Sequence, residues 1–295
     1  PGAAGGIERK TMEKVRIITD SGADLQPPFP QCLTVMPLTI HFGSEEFRDG
    51  ETIDHKTFYE RLASDACFPT TSLVPPGEFE AAFRRAQEAG EAVVAVTLSS
   101  RLSGTYQSAV MAAQEFEDVY VVDSLNATLG EQILVRYALG LAQSGMAAGQ
   151  IAAELERIRP HANLIGMPDT LEYLHRGGRI SKTAAVLGGA LSIRPVLRMV
   201  DGAVTMIGKA RGSKNGNNYL IQEVNKTGID FQKPLCLGYT GLSDTLLQRY
   251  IADSTQLWEG RIAALPICPV GPTIGTHLGP NAVIVAYFDA SAGAL

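Results

Sequence analysis

Cysteine and positive charge are both scarce in this chain of 295 residues. Its cysteines are widely spaced and form no C-x-x-C pair: Cys32, Cys67, Cys236 and Cys268. This spacing argues against a disulfide framework or a zinc site and favours a reducing cytoplasm. The formal net charge of −6 leaves no basic footprint for nucleic acid. No run of about 18 apolar residues is present, so a transmembrane helix is not expected.

Signatures of common enzyme classes are missing as well. No G-x-x-x-x-G-K-[ST], G-x-G-x-x-G or H-E-x-x-H segment occurs, and no G-x-S-x-G elbow marks a hydrolase nucleophile. The stretch "IITDSGADL" resembles the aspartate nucleophile of haloacid-dehalogenase-like enzymes, but Gly22 stands where their second Asp is needed. The sequence therefore predicts no metal and no cofactor.

What is present is an ordinary globular composition, with 45% hydrophobic and 19% charged residues. In residues 13–160, apolar strand-like runs alternate with helical ones, which predicts a mainly parallel sheet flanked by helices. In residues 161–295, two β runs meet at Asp201-Gly202, which indicates a hairpin within an α+β region of mixed or antiparallel strands. We therefore expect an α/β protein of two domains, preceded in residues 1–12 by a flexible or vector-derived extension.

The periodicity places individual elements along the chain. Strands are expected at 15–20, 92–98, 119–124, 235–241 and 281–288. Helices are expected at 57–64, 75–90, 104–116, 131–145, 169–175, 213–226 and 244–258.

Hydroxyl residues crowd the junction between strand 92–98 and the next helix, in the order Ser99, Ser100, Ser103 and Thr105. A helix N-terminus attracts carboxylates and phosphates, and Gly104 lets the backbone approach a ligand closely. A helix cap needs only one hydroxyl, so an anion site and simple capping both stay open.

A second hydroxyl cluster precedes helix 75–90 and has the same two interpretations: Thr70, Thr71 and Ser72. Residues that follow parallel strands share one sheet edge, where α/β proteins bind ligands. Asp20 and Ser21, which follow the first strand, are expected at that edge too.

Two further segments carry polar side chains among glycines. His277 is flanked by Gly275 and Gly279, which favours a defined loop, although a structural histidine stays an alternative. In "LEYLHRGGRIS", Arg176 and Arg179 bracket two glycines. These arginines fit an anion site, and the glycines equally fit the end of helix 169–175.

Seven segments, in this order, resemble the DegV family of bacterial fatty-acid-binding proteins. They are "RIITDSGADL", "TTSLVPPGEF", "LSSRLSGTYQSA", "VYVVDS", "YLHRGGRIS", "GKARG" and "IGTHLGP". The resemblance covers about residues 15 to 288, which is nearly the whole chain.

The resemblance implies that a long-chain fatty acid lies in a tunnel between two α/β domains. It implies a carboxylate site made of Thr71, Ser72, Ser103, Gly104 and His277. It also implies that Arg179, and with it Arg176, faces a phosphoryl donor or a partner. In the family's fatty acid kinase system, the binding protein is not itself an enzyme and presents the carboxylate to a separate kinase subunit. A membrane span is not expected, although transient membrane contact stays open.

Two departures from the family pattern bear on the site. Leu73 stands where the family often has Gln, and His175-Arg176 where lysine is common. For the acyl tail, the apolar residues of segment 180–197 are candidates, with ordinary core packing as the alternative: Ile180, Val186, Leu187, Leu191 and Ile193.

Two other functions remain open at this stage. In the first, the chain is a serine hydrolase with Ser103 as nucleophile, His277 as base and Asp20 as acid. In the second, the chain binds a sugar phosphate or another anion. An apolar tunnel behind the polar residues would favour the fatty acid over both.

Overall fold

The computed structural model describes residues 14–65, 67–180 and 193–293. The strands in this part of the chain are β1 Val15–Asp20, β2 Leu33–Met36, β3 Thr39–Phe42, β4 Glu45–Arg48, β5 Thr70–Ser72, β6 Ala92–Thr97, β7 Val119–Asp123, β8 Ala162–Met167, β9 Ile193–Val200, β10 Ala203–Arg211, β11 Cys236–Tyr239, β12 Ile267–Pro269 and β13 Val283–Phe288. The α-helices are α1 His55–Ser64, α2 Pro76–Glu88, α3 Thr105–Ala113, α4 Thr128–Gln143, α5 Ala148–Ile158, α6 Glu172–Arg176, α7 Gly212–Thr227, α8 Thr245–Asp253 and α9 Pro272–Leu278.

The first sheet is wholly parallel and has the strand order β2-β1-β6-β7. Its central strands β1 and β6 are buried along almost their full length, as expected for a parallel sheet covered on both faces. The chain leaves β1 toward β2 on one side and returns to β6 on the other. The carboxyl ends of β1 and β6 therefore flank a switch point in the topology, where open α/β sheets form their ligand crevice.

The second sheet is mixed and has the order β10-β9-β8-β13-β11-β12. Only β11 and β12 pair in parallel; the other neighbours are antiparallel. One face of β8 and β13 packs with α4 through Leu164 and Ile284. The opposite face packs on α7 and α8 through Ile165 and Val285.

A small antiparallel sheet, β4-β3-β5, lies beside these two. It packs on α1 through a separate apolar cluster that contains Ile40, Phe42 and Phe58. Among the described helices, none combines the length and hydropathy needed to cross a bilayer.

The predicted fold class is confirmed: a parallel sheet flanked by helices is followed by a mixed sheet. The hairpin is also confirmed, because Asp201 and Gly202 both adopt positive φ, as a two-residue turn of this type requires. The small sheet, α5 and the strands β2, β8 and β12 are missing from the sequence prediction. In α5, however, Ile151, Leu155 and Ile158 follow helical spacing and are buried.

Three local predictions are wrong. Thr70–Ser72 do not lead into a helix as capping residues; they form β5 and pair with β3. His277 does not lie in a loop; it belongs to α9. Helix 169–175 is the shorter α6, and its left-handed residue is Gly178 at φ 73° and not Gly177. The proposed tail residues Val186, Leu187 and Leu191 lie outside the described residues.

Candidate ligand-binding cavity

A cavity of about 390 Å³ lies where the carboxyl edge of the first sheet meets the second, six-stranded sheet. This volume falls within the ~300–1,000 Å³ that is usual for small-molecule sites. Most of its wall is apolar. The first half of the chain contributes Leu38 and Leu98, and the second half contributes Leu164, Leu197, Met199 and Ile284.

Polar side chains from β5, the β6–α3 loop and α9 gather in the wall of this cavity. Thr71, Ser103 and His277 all line it, although they stand far apart in the sequence. Thr71 Oγ1 lies 2.8 Å from His277 Nε2, so the first and last of these groups are hydrogen-bonded. Ser103 Oγ is 2.9 Å from Thr105 Oγ1 and accepts from the Thr105 backbone amide.

The imidazole of His277 is held as a neutral group. Burial, together with the nearby Arg179, lowers the pKa of His277 to about 4. The Nδ1 atom is buried, and no polar atom of the described residues is paired with it. Gly177 makes room for this ring, because a Cβ at that position would lie 2.2 Å from His277 Nδ1. A neutral imidazole can donate or accept at the cavity without adding charge.

Arg179 also lines the cavity. Its Nε donates to the carbonyl oxygen of Leu102 at 3.0 Å, and its Nη1 donates to that of Gly177 at 2.6 Å. These carbonyl groups orient the guanidinium without neutralising it. The ion pairs of the described residues do not include Arg179, and burial lowers its pKa. An oriented cation with no carboxylate partner in the part of the chain that the structure describes favours an anionic ligand group.

The crowded hydroxyls of the β6–α3 loop have separate roles. Ser99 is buried, and its Oγ donates to the carbonyl oxygen of Gly202 at 2.7 Å. Thr105 Oγ1 accepts from the backbone amide of Val74 at 3.4 Å. Ser100 is exposed. Of the four, Ser103 is the one in the cavity wall.

Gly104, Ser72 and Leu73 complete this part of the wall. A Cβ at Gly104 would lie 2.7 Å from Leu73 Cδ2, so a larger residue there would displace the Leu73 side chain, whereas the backbone conformation at φ −76° suits any residue. Leu73 is 41% exposed although it is apolar. The hydroxyl of Ser72 is paired with His41 Nε2 at 2.7 Å.

Arg176 does not take part in the cavity wall. It is exposed, pairs with Glu172 at 2.6 Å and stacks over the ring of Phe68. The two arginines of this motif therefore have different locations: Arg179 lines the cavity, and Arg176 lies on the surface.

Two buried carboxyl groups fix the start of α9 and thereby the position of His277. Asp24 accepts from the backbone amide of Gly271 at 2.7 Å, and Asp49 accepts from that of Thr273 at 3.2 Å. Acidic groups at a helix start satisfy its free amides. Burial raises the pKa of Asp49 to about 6 and that of Asp24 well above its usual range.

The geometry does not assemble a catalytic triad. A nucleophilic serine must bond to its histidine, and an acid must orient that histidine. Here His277 Nε2 is paired with Thr71, and Ser103 with Thr105. Asp20 is buried and bonds to the backbone amides of Gly22 and Leu98.

Sequence reasoning missed Met199 and Val204 in the hairpin part of the wall, whereas Leu197 lies at the end of the candidate tail segment 180–197. The signal was present, because Leu197 and Met199 stand two apart and face the same side of a strand. The sequence predicts the hairpin, but its candidate tail segment ends at Leu197 and includes only the first part of β9.

Comparison with known proteins places the chain among others of the same length and fold. The family model described as "Uncharacterised protein, DegV family" matches residues 14–290. A DegV domain-containing protein of Deinococcus radiodurans is 37% identical over 286 residues, which is 94% of this chain and 99% of that protein. One from Caldanaerobacter subterraneus is 34% identical over 281 residues, again 94% of this chain and 99% of the relative.

Solved structures of similar proteins share the fold of this chain. A DegV family protein from Thermus thermophilus, described as binding fatty acid, has a TM-score of 0.80 and 31% identity. The match covers 93% of this chain and 99% of that one. A Thermotoga maritima protein described as having a fatty acid binding function has a TM-score of 0.74 and 25% identity, covering 94% and 99% of the two chains.

Proposed function

The chain belongs to the DegV family, and on that premise we propose that it binds a long-chain fatty acid in the cavity described above. One observation carries the proposal: the cavity combines a mostly apolar wall with the Thr71–His277 pair, Ser103 and an oriented Arg179. An amphiphile with an acidic head group and a long apolar tail matches this combination of a polar cluster and an apolar wall.

The tail supplies most of the affinity. About 14 buried methylenes at ~0.8 kcal/mol each give ~11 kcal/mol. Association costs ~4–15 kcal/mol, so the tail binds usefully only if the head group does not add a further penalty. An isolated buried carboxylate would add such a penalty.

The head group is held mainly by neutral donors in this proposal. Thr71, Ser103 and the neutral His277 supply hydrogen bonds, and Gly104 lets the backbone approach. Arg179 balances the charge, and its Nε and Nη1 are already oriented by backbone carbonyls. A carboxylate bound in this way keeps more nucleophilic oxygen character than one clamped by two arginines.

We further propose that the protein is a carrier and not an enzyme, and that it presents the carboxylate to a fatty acid kinase subunit in trans. The absence of a Ser103–His277 bond in the described residues supports this over a serine hydrolase. The mostly apolar wall supports it over a sugar-phosphate site. In this proposal, residues 13–160 and 161–295 are the two halves that enclose the acyl chain in the cytoplasm.

Native mass spectrometry of the gently purified protein tests the binding. We expect a co-purified acyl species, and stoichiometric binding of palmitate after delipidation. Ser103→Ala and His277→Ala should weaken palmitate binding. Ser100→Ala, which removes an exposed hydroxyl outside the cavity wall, should not. A wild-type protein with no acyl species and no affinity for palmitate would refute the proposal.

The carrier role needs a separate assay. Palmitate-loaded protein, ATP and a bacterial fatty acid kinase catalytic subunit should give acyl phosphate, trapped by hydroxylamine as the hydroxamate. His277→Ala should reduce this product at least as much as it reduces binding. Labelling of Ser103 by a fluorophosphonate probe would instead support the hydrolase.

A further inference from the structure

The β9–β10 hairpin is a long ribbon with a short attachment to its sheet. Its two strands pair with each other at eight positions, from Ile193 with Arg211 to Val200 with Ala203. By contrast, β9 pairs with β8 at only two, Ile165 with Arg198 and Gly166 with Leu197. The pairing of the ribbon with the rest of its sheet is therefore confined to two positions near the middle of β9.

This ribbon forms part of the cavity wall. Leu197 and Met199 on β9, and Val204 on β10, all line the cavity. Any movement of the hairpin away from the first sheet would open the apolar part of the site.

The tip of the ribbon is fastened to the first half of the chain. Ser99 Oγ donates to the carbonyl oxygen of Gly202 at 2.7 Å, and Ser99 is fully buried. The tip also packs closely, because a Cβ at Gly202 would lie 3.1 Å from side-chain carbons of both Arg101 and Leu125. We name the Ser99–Gly202 hydrogen bond the hairpin latch.

The backbone of Ser99 also orders the polar part of the site. Its carbonyl oxygen accepts from the backbone amides of Leu102 and Ser103, at 2.9 and 3.1 Å. The same residue thus connects the loop that carries Ser103 with the wall that carries Met199.

We propose that Ser99 is a positioning residue whose hairpin latch sets the rate at which the fatty acid enters and leaves the cavity. The inference rests on the proposed function. The hairpin latch must break before the hairpin can move away from the first sheet, so weakening it lowers the barrier to exchange in both directions. Association and release should then accelerate together, and the affinity should change little.

Stopped-flow fluorescence with cis-parinaric acid measures both rates on delipidated protein. Ser99→Ala removes the hairpin latch and a longer bond, 3.3 Å, from the Arg101 backbone amide to Ser99 Oγ. It should release and bind this probe ~3- to 10-fold faster, as expected for the loss of the latch hydrogen bond, with a nearly unchanged Kd. The control Ser100→Ala should behave as wild type. A Kd that rises in step with release, at unchanged association, would assign Ser99 a merely structural role and overturn the proposal.

A reversible cross-link gives a second test that does not depend on the alanine variant folding. A Cβ at Gly202 would lie 2.7 Å from Ser99 Oγ, so cysteine side chains at these two positions can reach each other. Because φ at Gly202 is 79°, Gly202→Cys strains the turn, and the comparison is therefore made between the two redox states of the same variant. We expect Ser99→Cys/Gly202→Cys, with the exposed Cys67 changed to Ser, to exchange the probe at least tenfold more slowly when oxidised than when reduced.

Equal exchange in the two redox states would refute the latch while leaving fatty acid binding intact. Failure of the wild-type protein to bind cis-parinaric acid would instead refute the proposed function, and the latch with it.

Discussion

Replacing His277 with glutamine should remove a specific pH dependence of stability. In the folded protein, burial and Arg179 lower the pKa of His277 from 6.5 to about 4. The unfolded chain therefore binds a proton on this side chain more readily than the folded one. The stabilising effect is full above pH 6.5 and is lost as the pH falls toward 4.

The size of the effect follows from the shift. A change of one pKa unit corresponds to ~1.4 kcal/mol, so the stability lost between pH 7 and pH 5 is ~2 kcal/mol. Urea denaturation of delipidated wild type and His277→Gln at both pH values measures it. The free energy difference between the two proteins should shift by this amount, because all other titrating groups are shared.

A control separates this effect from general destabilisation. Ser103→Ala loses a local hydrogen bond but keeps the imidazole, so it should retain the pH dependence of the wild type. A difference between wild type and His277→Gln that is the same at pH 7 and pH 5 would show that this ring is not held neutral.

Three further predictions concern neighbouring residues. Gly177→Ala should displace His277 and cost ~1–3 kcal/mol through overpacking, seen as a lower Tm together with weaker palmitate binding; unchanged binding would contradict the assigned contact. Burial raises the pKa of Asp20 to about 7, so the free energy of unfolding of wild type should fall by ~3 kcal/mol relative to that of Asp20→Asn as the pH rises from 5 to 8. Urea denaturation at both pH values measures this change, and an equal difference between the two proteins at both would contradict the raised pKa. Leu73→Gln should slow palmitate release several-fold by adding an amide donor beside Gly104, and an unchanged release rate would mean that position 73 does not reach the head group.

Strands β1, β6 and β7 and helices α2, α3 and α4 were predictable because each is apolar or amphipathic over its own length. The six residues of β6 are all buried, and the sequence there is continuously apolar. The turn at Asp201-Gly202 has equally local chemistry. In these cases the information needed for the prediction lies within a few residues.

The helix that carries His277 was not predictable in this way. Its glycines suggested a loop, yet Gly275 is needed for packing, since a Cβ there would lie 2.5 Å from the hydroxyl of Tyr59. The start of the helix is satisfied by Asp24 and Asp49, more than two hundred residues away in the sequence. Distant partners of this kind leave no local signal.

The strand that carries Thr71 was not predictable for the same reason. Its residue type pointed to a polar site, but its strand exists only because β5 pairs with β3. Residue chemistry therefore identified Thr71, Ser103 and His277 as candidates, while tertiary pairing decided how they are presented.

The wall of the cavity extends from Leu38 near the start of the chain to Ile284 in its final strand. During synthesis, β13 follows every other strand of the wall, so the enclosure is completed only after those strands have been translated. A nascent chain that lacks β13 thus has no closed cavity. Under the proposed function, the fatty acid is acquired only after β13 has been made, and neither half of the chain expressed alone would hold it.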